Sequence, residues 1–188
     1  MKIIFAGIMS LLIAGCVSNT PSLPEEYNGA IATIDDSFER QNRSKANIYY
    51  LKKINGKNID NALNATSAAS YGKGSLLVAV GSSRSIPAEP LKLQLVGQVF
   101  SSAPIIALAN AGKNYSVEGE LEFTPEKDKR YVVNGSLSED YSAVWIEDTN
   151  GNVVSRLIEK KSSSYVPTQK SNEKTVEKAL SREELFLN

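Results

Sequence analysis

Tyr115-Ser116-Val117-Glu118-Gly119-Glu120-Leu121-Glu122-Phe123 decides the fold, because apolar or small residues alternate without a break with polar ones. Tyr115, Val117, Gly119, Leu121 and Phe123 fall on one side, and Ser116, Glu118, Glu120 and Glu122 on the other. A period of two fits a β-strand with one buried and one wet face, and fits no helix. Upstream, Leu91, Leu93, Leu95, Gly97 and Val99 alternate with Lys92, Gln94, Val96, Gln98 and Phe100 in the same way. Downstream, Pro125 turns the chain, and Tyr131 to Leu137, Tyr141 to Glu147 and Val153 to Glu159 read as three more strands. Asp148-Thr149-Asn150-Gly151 joins the last two, since Asn-Gly suits a turn needing positive φ at both central residues.

Towards the N-terminus, Ala30 to Phe38 and Asn47 to Ile54 read as strands, with Ile48, Tyr49, Tyr50 and Leu51 shaped for a pleated surface. Asn55-Gly56 forms a hairpin tip. Residues 60–72, rich in Ala, Asn and Ser, read as a crossing between sheets, and Ser75 to Val80 as another apolar run. Gly81 to Pro90, with Arg84, Pro87 and Pro90, has the turn chemistry of a loop. Ile105 to Leu108 continues the preceding strand or crosses over. At the far end, Lys160 to Lys170 is polar, and Ser171 to Leu187 gives a short helix or a disordered tail, with Ser181 and Glu184 spaced as a capping box.

Short strands parted by tight turns predict an all-β chain, an antiparallel β-sandwich of about seven to nine strands. The run from Tyr115 to Val154, with its Phe-Thr-Pro turn, Val-Trp-Ile-Glu-Asp strand and Asn-Gly turn, resembles prealbumin-like or immunoglobulin-like sandwiches of uncharacterised bacterial lipoproteins. That resemblance implies architecture and no activity.

The N-terminus carries an address. Met1-Lys2 supplies a positive charge, Ile3 through Ala14 an apolar run broken only by Gly7 and Ser10, and then Asn19, Thr20, Pro21 and Pro24 follow. The run is shorter than the roughly 20 residues a spanning helix needs, and its order of parts is that of a secretory signal. Ile13-Ala14-Gly15-Cys16, with the one cysteine of the chain, resembles the lipobox of bacterial lipoproteins, although Ile13 stands where Leu is most usual. The resemblance implies cleavage between Gly15 and Cys16, diacylglyceryl transfer to the Cys16 sulfur, acylation (as by palmitate) of its new amine, and anchorage. Several acyl chains on one residue hold a protein on a membrane where a single chain does not. Val17, not Asp, after the cysteine implies the outer membrane of a Gram-negative envelope, facing the periplasm. The expected organisation is a signal peptide over 1–15, lipidated Cys16 and a flexible tether over 16–28, a β-sandwich over 29–160, and a linker and tail over 161–188.

Composition narrows the chemistry. The chain has no histidine, and Cys16 is assigned to lipid, which excludes Ser-His-Asp and Cys-His nucleophile systems and His/Cys metal sites. With 21 basic and 21 acidic residues, no net field draws a nucleic acid, and no cofactor or metal motif is present. Tyr71-Gly72-Lys73-Gly74-Ser75 lacks the glycine and the Ser/Thr of a P-loop, so it reads as flexible backbone. Asp148, Asn150 and Asn152 lack EF-hand spacing, and Ser171 and Lys174 form the spacing of a Ser-Lys pair only in the tail. Tyr131, Tyr141 and Trp145 suit ring stacking but more readily fill a core. Glu118, Glu120 and Glu122 make an acidic stripe whose ordinary reading is a solvated face.

Two functions follow as expectations. The leading one is a non-enzymatic, lipid-anchored envelope lipoprotein that binds or assembles with an envelope protein or glycan, in one version by accepting a partner strand at a sheet edge. The alternative is a carboxylate-dependent hydrolase acting on envelope glycan, using two of Glu118, Glu120, Glu122, Asp140, Glu147 and Asp148 held in one cleft.

Overall fold

The computed structural model describes residues 21–103, 105, 108 and 114–161. Cys16 and its lipobox, and the helix expected over Ser171–Leu187, lie outside these residues. The chain is mostly strand: β1 (Ile31–Arg40), β2 (Lys45–Ile54), β3 (Lys57–Asn58), α1 (Ala62–Ser70), β4 (Ser83–Pro87), β5 (Leu91–Ser101), β6 (Ser116–Phe123), β7 (Arg130–Leu137), β8 (Tyr141–Asp148) and β9 (Ile158–Lys161). Hydrogen-bonded order is β6-β5-β2-β1-β7-β8-β9, with β3 on β2 and β4 on β1.

All pairings are antiparallel except β1 with β7, which run parallel from Thr33↔Arg130 to Asp36↔Val133. The sheet is therefore mixed, where sequence patterning predicted a purely antiparallel arrangement. It also curls until β9 lies against β6, close to a barrel. Among the described residues no ladder joins these two strands. Instead Arg156 Nη2 donates to the Glu120 carbonyl at 2.5 Å, and Gly119 is packed so closely under Ile158 that a Cβ there would lie 2.7 Å from the isoleucine.

The interior holds the residues that alternation selects: Leu91, Leu93 and Leu95 of β5, Val117, Leu121 and Phe123 of β6, Tyr131 and Val133 of β7, and Val144 and Ile146 of β8. Tyr49 of β2 lays its ring across this space. A Cβ on Gly135 would come within 2.5 Å of that ring and 2.4 Å of the Ala143 carbonyl, so glycine is the residue that lets β7 and β2 approach across the interior. Two smaller clusters lie outside the curl, where α1 covers Ile48, Tyr50 and Val96, and where Val153 and Leu157 cover Tyr141, Ala143 and Trp145.

Three segments depart from the sequence reading. Residues 60–72 contain α1, begun by Asn61, whose side chain accepts from Leu63 N and Asn64 N. The apolar run Ser75–Val80 is not a strand, because α1 takes its backbone: Val78 N donates to Ser70 Oγ at 3.0 Å and Val80 N to Thr66 Oγ1 at 3.0 Å. The expected loop instead supplies β4, paired with β1 from Ile31↔Pro87 to Asp35↔Ser83. Likewise the strand expected over Val153–Glu159 is displaced to Ile158–Lys161. Val153 still bridges Glu147 and Val154 N donates to the Ile146 carbonyl at 2.9 Å, but Ser155 Oγ then takes the Ile146 N–H at 2.9 Å and interrupts the ladder until Ile158.

Candidate functional site

Strand directions gather several loops at one end of the curl. Because β1 and β7 are parallel, the ends at Arg40 and Leu137 lie together, and antiparallel pairing brings the starts of β2, β6 and β8 and the ends of β5 and β9 to the same side. The tether leads in at Ile31, the opposite end.

Towards this shared end the interior face loses its apolar character. On β8 the inward series Ile146, Val144 is followed by Ser142, and on β9 Ile158 is followed by Lys160, which is the register partner of Ser142. There a half-open cleft of about 250 Å³ is lined by Asn114, Tyr115, Ser116, Ser138, Glu139, Ser142, Lys160 and Lys161. Its floor is fixed by the β7–β8 turn, where Ser138 N and Oγ both donate to the Tyr141 carbonyl, at 3.0 and 2.7 Å. Its wall is fixed by Glu159, which accepts from Tyr141 Oη at 2.7 Å and pairs with Lys161 Nζ at 3.2 Å. Three serine hydroxyls, a carboxylate and two ammonium groups can hydrogen-bond a polyhydroxylated or mixed-charge ligand.

Deeper on the same face, the Tyr49 hydroxyl is buried. Burial, then the negative charge of Glu39, pushes its pKa up to about 12.

The residues singled out from the sequence lie elsewhere. The acidic stripe on the outer face of β6 is largely paired: Glu118 Oε1 accepts from Lys52 Nζ and Gln94 Nε2, each at 2.7 Å, and Glu120 pairs with Lys92 at 2.7 Å. Glu120 beside it raises the pKa of Lys92. Glu147 accepts from Trp145 Nε1 at 2.7 Å and Asn134 Nδ2 at 3.1 Å. Asp148 closes its hairpin by accepting from Asn150 N and Asn152 N at 2.9 and 2.8 Å, and Asp140 sits in the β7–β8 turn. Tyr131, Tyr141 and Trp145 are buried, Tyr131 edge-on to Phe123 at 5.1 Å. Tyr71-Gly72-Lys73-Gly74 is an exposed loop with Gly72 and Gly74 at positive φ. No group of three metal-ligating side chains occurs among the described residues. The chain matches no family model, no curated protein and no solved structure.

Sequence reasoning passed over the most constrained polar group, Asp36. Its carboxylate accepts from Leu51 N at 3.0 Å and Ala62 N at 2.8 Å, and from Arg84 Nη1 and Nη2 at 2.8 and 2.5 Å. One side chain thus joins β1, the bulged part of β2, the start of α1 and β4. Burial raises its pKa above the ordinary carboxylate range, against the lowering pull of Arg84 and the two backbone N–H groups. The signal available was weak: an Asp-Asp pair inside an apolar alternation.

Proposed function

We propose that this is a lipid-anchored envelope lipoprotein whose β-domain works as a non-catalytic binding or assembly module, tethered through Cys16 to the outer membrane and facing the periplasm. The observation that carries the reading is the order Lys2, apolar run, Ile13-Ala14-Gly15-Cys16, with no other cysteine in the chain. Support for a binding role comes from the hydroxyl- and ammonium-lined cleft, a form suited to an envelope glycan or a polar protein segment. In the finer architectural reading, the two halves of the sheet that share β1 act as the layers of a sandwich, with the ligand at one end.

The deciding experiment is mass spectrometry of the N-terminal peptide from protein made in a bacterial host with its own leader. The expected product begins at Cys16 and carries diacylglyceryl and N-acyl masses, while Cys16→Ala keeps its leader. An unmodified thiol behind an intact leader overturns the anchoring. Binding is tested by titrating soluble envelope glycan fragments and observing Ser138, Ser142 and Lys160 amide shifts by NMR. Lys160→Glu with Lys161→Glu should abolish the shifts, and substrate turnover in the same tube would overturn the non-catalytic reading.

A further inference from the structure

The cleft is the open end of the seam between β6 and β9, and both strands that wall it are sheet edges. The Tyr115 carbonyl accepts from Val99 N at 3.1 Å, which fixes the phase of β6. Tyr115, Val117, Gly119 and Leu121 turn their main-chain groups towards β5, and Ser116, Glu118, Glu120 and Glu122 turn theirs away. On the other wall, Val154 N donates to the Ile146 carbonyl, so Ile146, Val144 and Ser142 face β9. Their register partners Ile158 and Lys160 face back, and Glu159 turns its main-chain groups outward. The two edges therefore look at each other across the seam, and among the described residues no ladder joins them.

The seam tapers. At its narrow part Ile158 lies against Gly119, and Arg156 Nη2 takes the Glu120 carbonyl. Towards the loop end the strands part, and the cleft stands between Ser116 on one wall and Lys160 and Lys161 on the other. Ser116 and Glu118 are exposed there.

An unladdered main-chain row is matched by another main chain, because an extended peptide repeats N–H and C=O every second residue, about 6.6 Å apart, as β6 does. Sugar hydroxyls carry no such fixed repeat. Charge then selects the peptide. The residues that turn their main chain to the seam place Glu118, Glu120 and Glu122 on the outer face, and Glu122 forms no ion pair with a described residue. A second copy pairing antiparallel through its own β6 sets glutamate opposite glutamate, which is destabilising. A segment with Lys or Arg at every second position sets opposite charges there instead. We infer that the cleft takes an extended polypeptide segment with basic residues at alternate positions, added to the β6 edge at Ser116 and Glu118 as a further strand. This deepens the binding reading of the cleft and rests on it.

The test uses the chain from residue 16 to 188 with Cys16→Ser, and as probe a peptide of alternating lysine and threonine at up to millimolar concentration. NMR titration should shift the Ser116 and Glu118 amides and slow their exchange with deuterium. Opposite Glu118, a lysine turns its own main chain towards β6. Methylating the lysine backbone nitrogens should therefore weaken binding at least about tenfold, while methylating the threonine nitrogens leaves it unchanged. Ser116→Pro removes an N–H that faces away from β5 and spares the ladder, so it should weaken binding comparably with thermal melting unchanged. The methylated peptides decide the matter on the unsubstituted chain if that variant unfolds. Absence of peptide binding, equal effects of the two methylations, or equal binding of a glutamate-for-lysine peptide overturns the inference. So does protection of the Ser116 and Glu118 amides before peptide is added, which would show that the chain itself holds the edge. If glycan fragments shift Ser138 and Lys160 while the peptide shifts nothing, this inference falls and the binding reading stands; if neither ligand shifts them, both fall.

Discussion

Asp35 and Asp36 are neighbours on β1, and each is held by an arginine from an adjacent strand, yet the two pairs live in different media. Arg130 of β7 grips Asp35 through Nε at 2.6 Å and Nη2 at 3.0 Å, with the arginine side chain 55% exposed. Asp35 next to it raises the pKa of Arg130. Arg84 of β4 grips Asp36 with the two side chains 7% and 0% exposed. The first pair keeps water and counterions within reach, so its attraction is screened and it decorates the β1–β7 junction. The second is almost wholly removed from water, and four hydrogen bonds offset only part of its desolvation. Identical functional groups, one residue apart, therefore differ in kind: one pair is dispensable, the other determines where α1 and β4 sit.

The largest effect should come from breaking the buried pair on one side. Asp36→Ala leaves Arg84 buried and unpaired, along with the N–H groups of Leu51 and Ala62, and should lower unfolding free energy by about 3–5 kcal/mol in a urea titration. A loss under about 1 kcal/mol would mean that water already reaches the site. Replacing both charges by apolar groups is gentler. Asp36→Leu with Arg84→Met should recover about 2 kcal/mol or more of that loss, because no lone charge remains, and a double variant as weak as the worse single would give the ions a positive structural role.

A pH series sharpens the contrast without removing either arginine. The Asp36 carboxyl is raised above its ordinary 3.8, so between that value and the folded one the native state binds more proton than the unfolded chain. The contribution of this group to stability accordingly grows as pH falls through the window and declines as pH rises through it. Asp36→Asn should flatten this part of the stability–pH curve, and an unchanged slope would assign it to another carboxylate. The smallest effect belongs to the exposed pair. Asp35→Ala should destabilise by less than about 1 kcal/mol at low salt, with the difference vanishing near 1 M NaCl, where the screening length is about 3 Å.

The same contrast explains what was legible beforehand. Strand β6 is plain in the sequence because one face meets the core and the other meets water, and β5 follows the same alternation except where α1 covers Val96 on its outer face. Asn55-Gly56 is plain because both residues adopt the positive φ that selects their type, whereas in the turn at Asn150-Gly151, which falls where expected, only Gly151 has positive φ. Strand β4 is not legible, since Ser83-Arg84-Ser85 has poor strand propensity and is ordered by partners about fifty residues away on β1. The parallel contact of β1 with β7 leaves no local trace, because its register is set across roughly a hundred residues of chain. Ser75–Val80 misleads for the opposite reason: its composition suits a strand, but Thr66 and Ser70 capture its amides. The cleft was missed because Ser138, Ser142 and Lys160 look individually like turn and linker residues. Only the curl of the sheet places them together.

The seam between β6 and β9 has a consequence for how the molecule breathes. A sheet hydrogen-bonded strand to strand around most of its curl, and closed between β6 and β9 among the described residues by side-chain packing and the Arg156–Glu120 hydrogen bond with no ladder, has its weakest line there. Hydrogen exchange is the measurement that checks it: the β6 amides that turn away from β5 should exchange with deuterium sooner than those of β5 or β2, which are held in ladders.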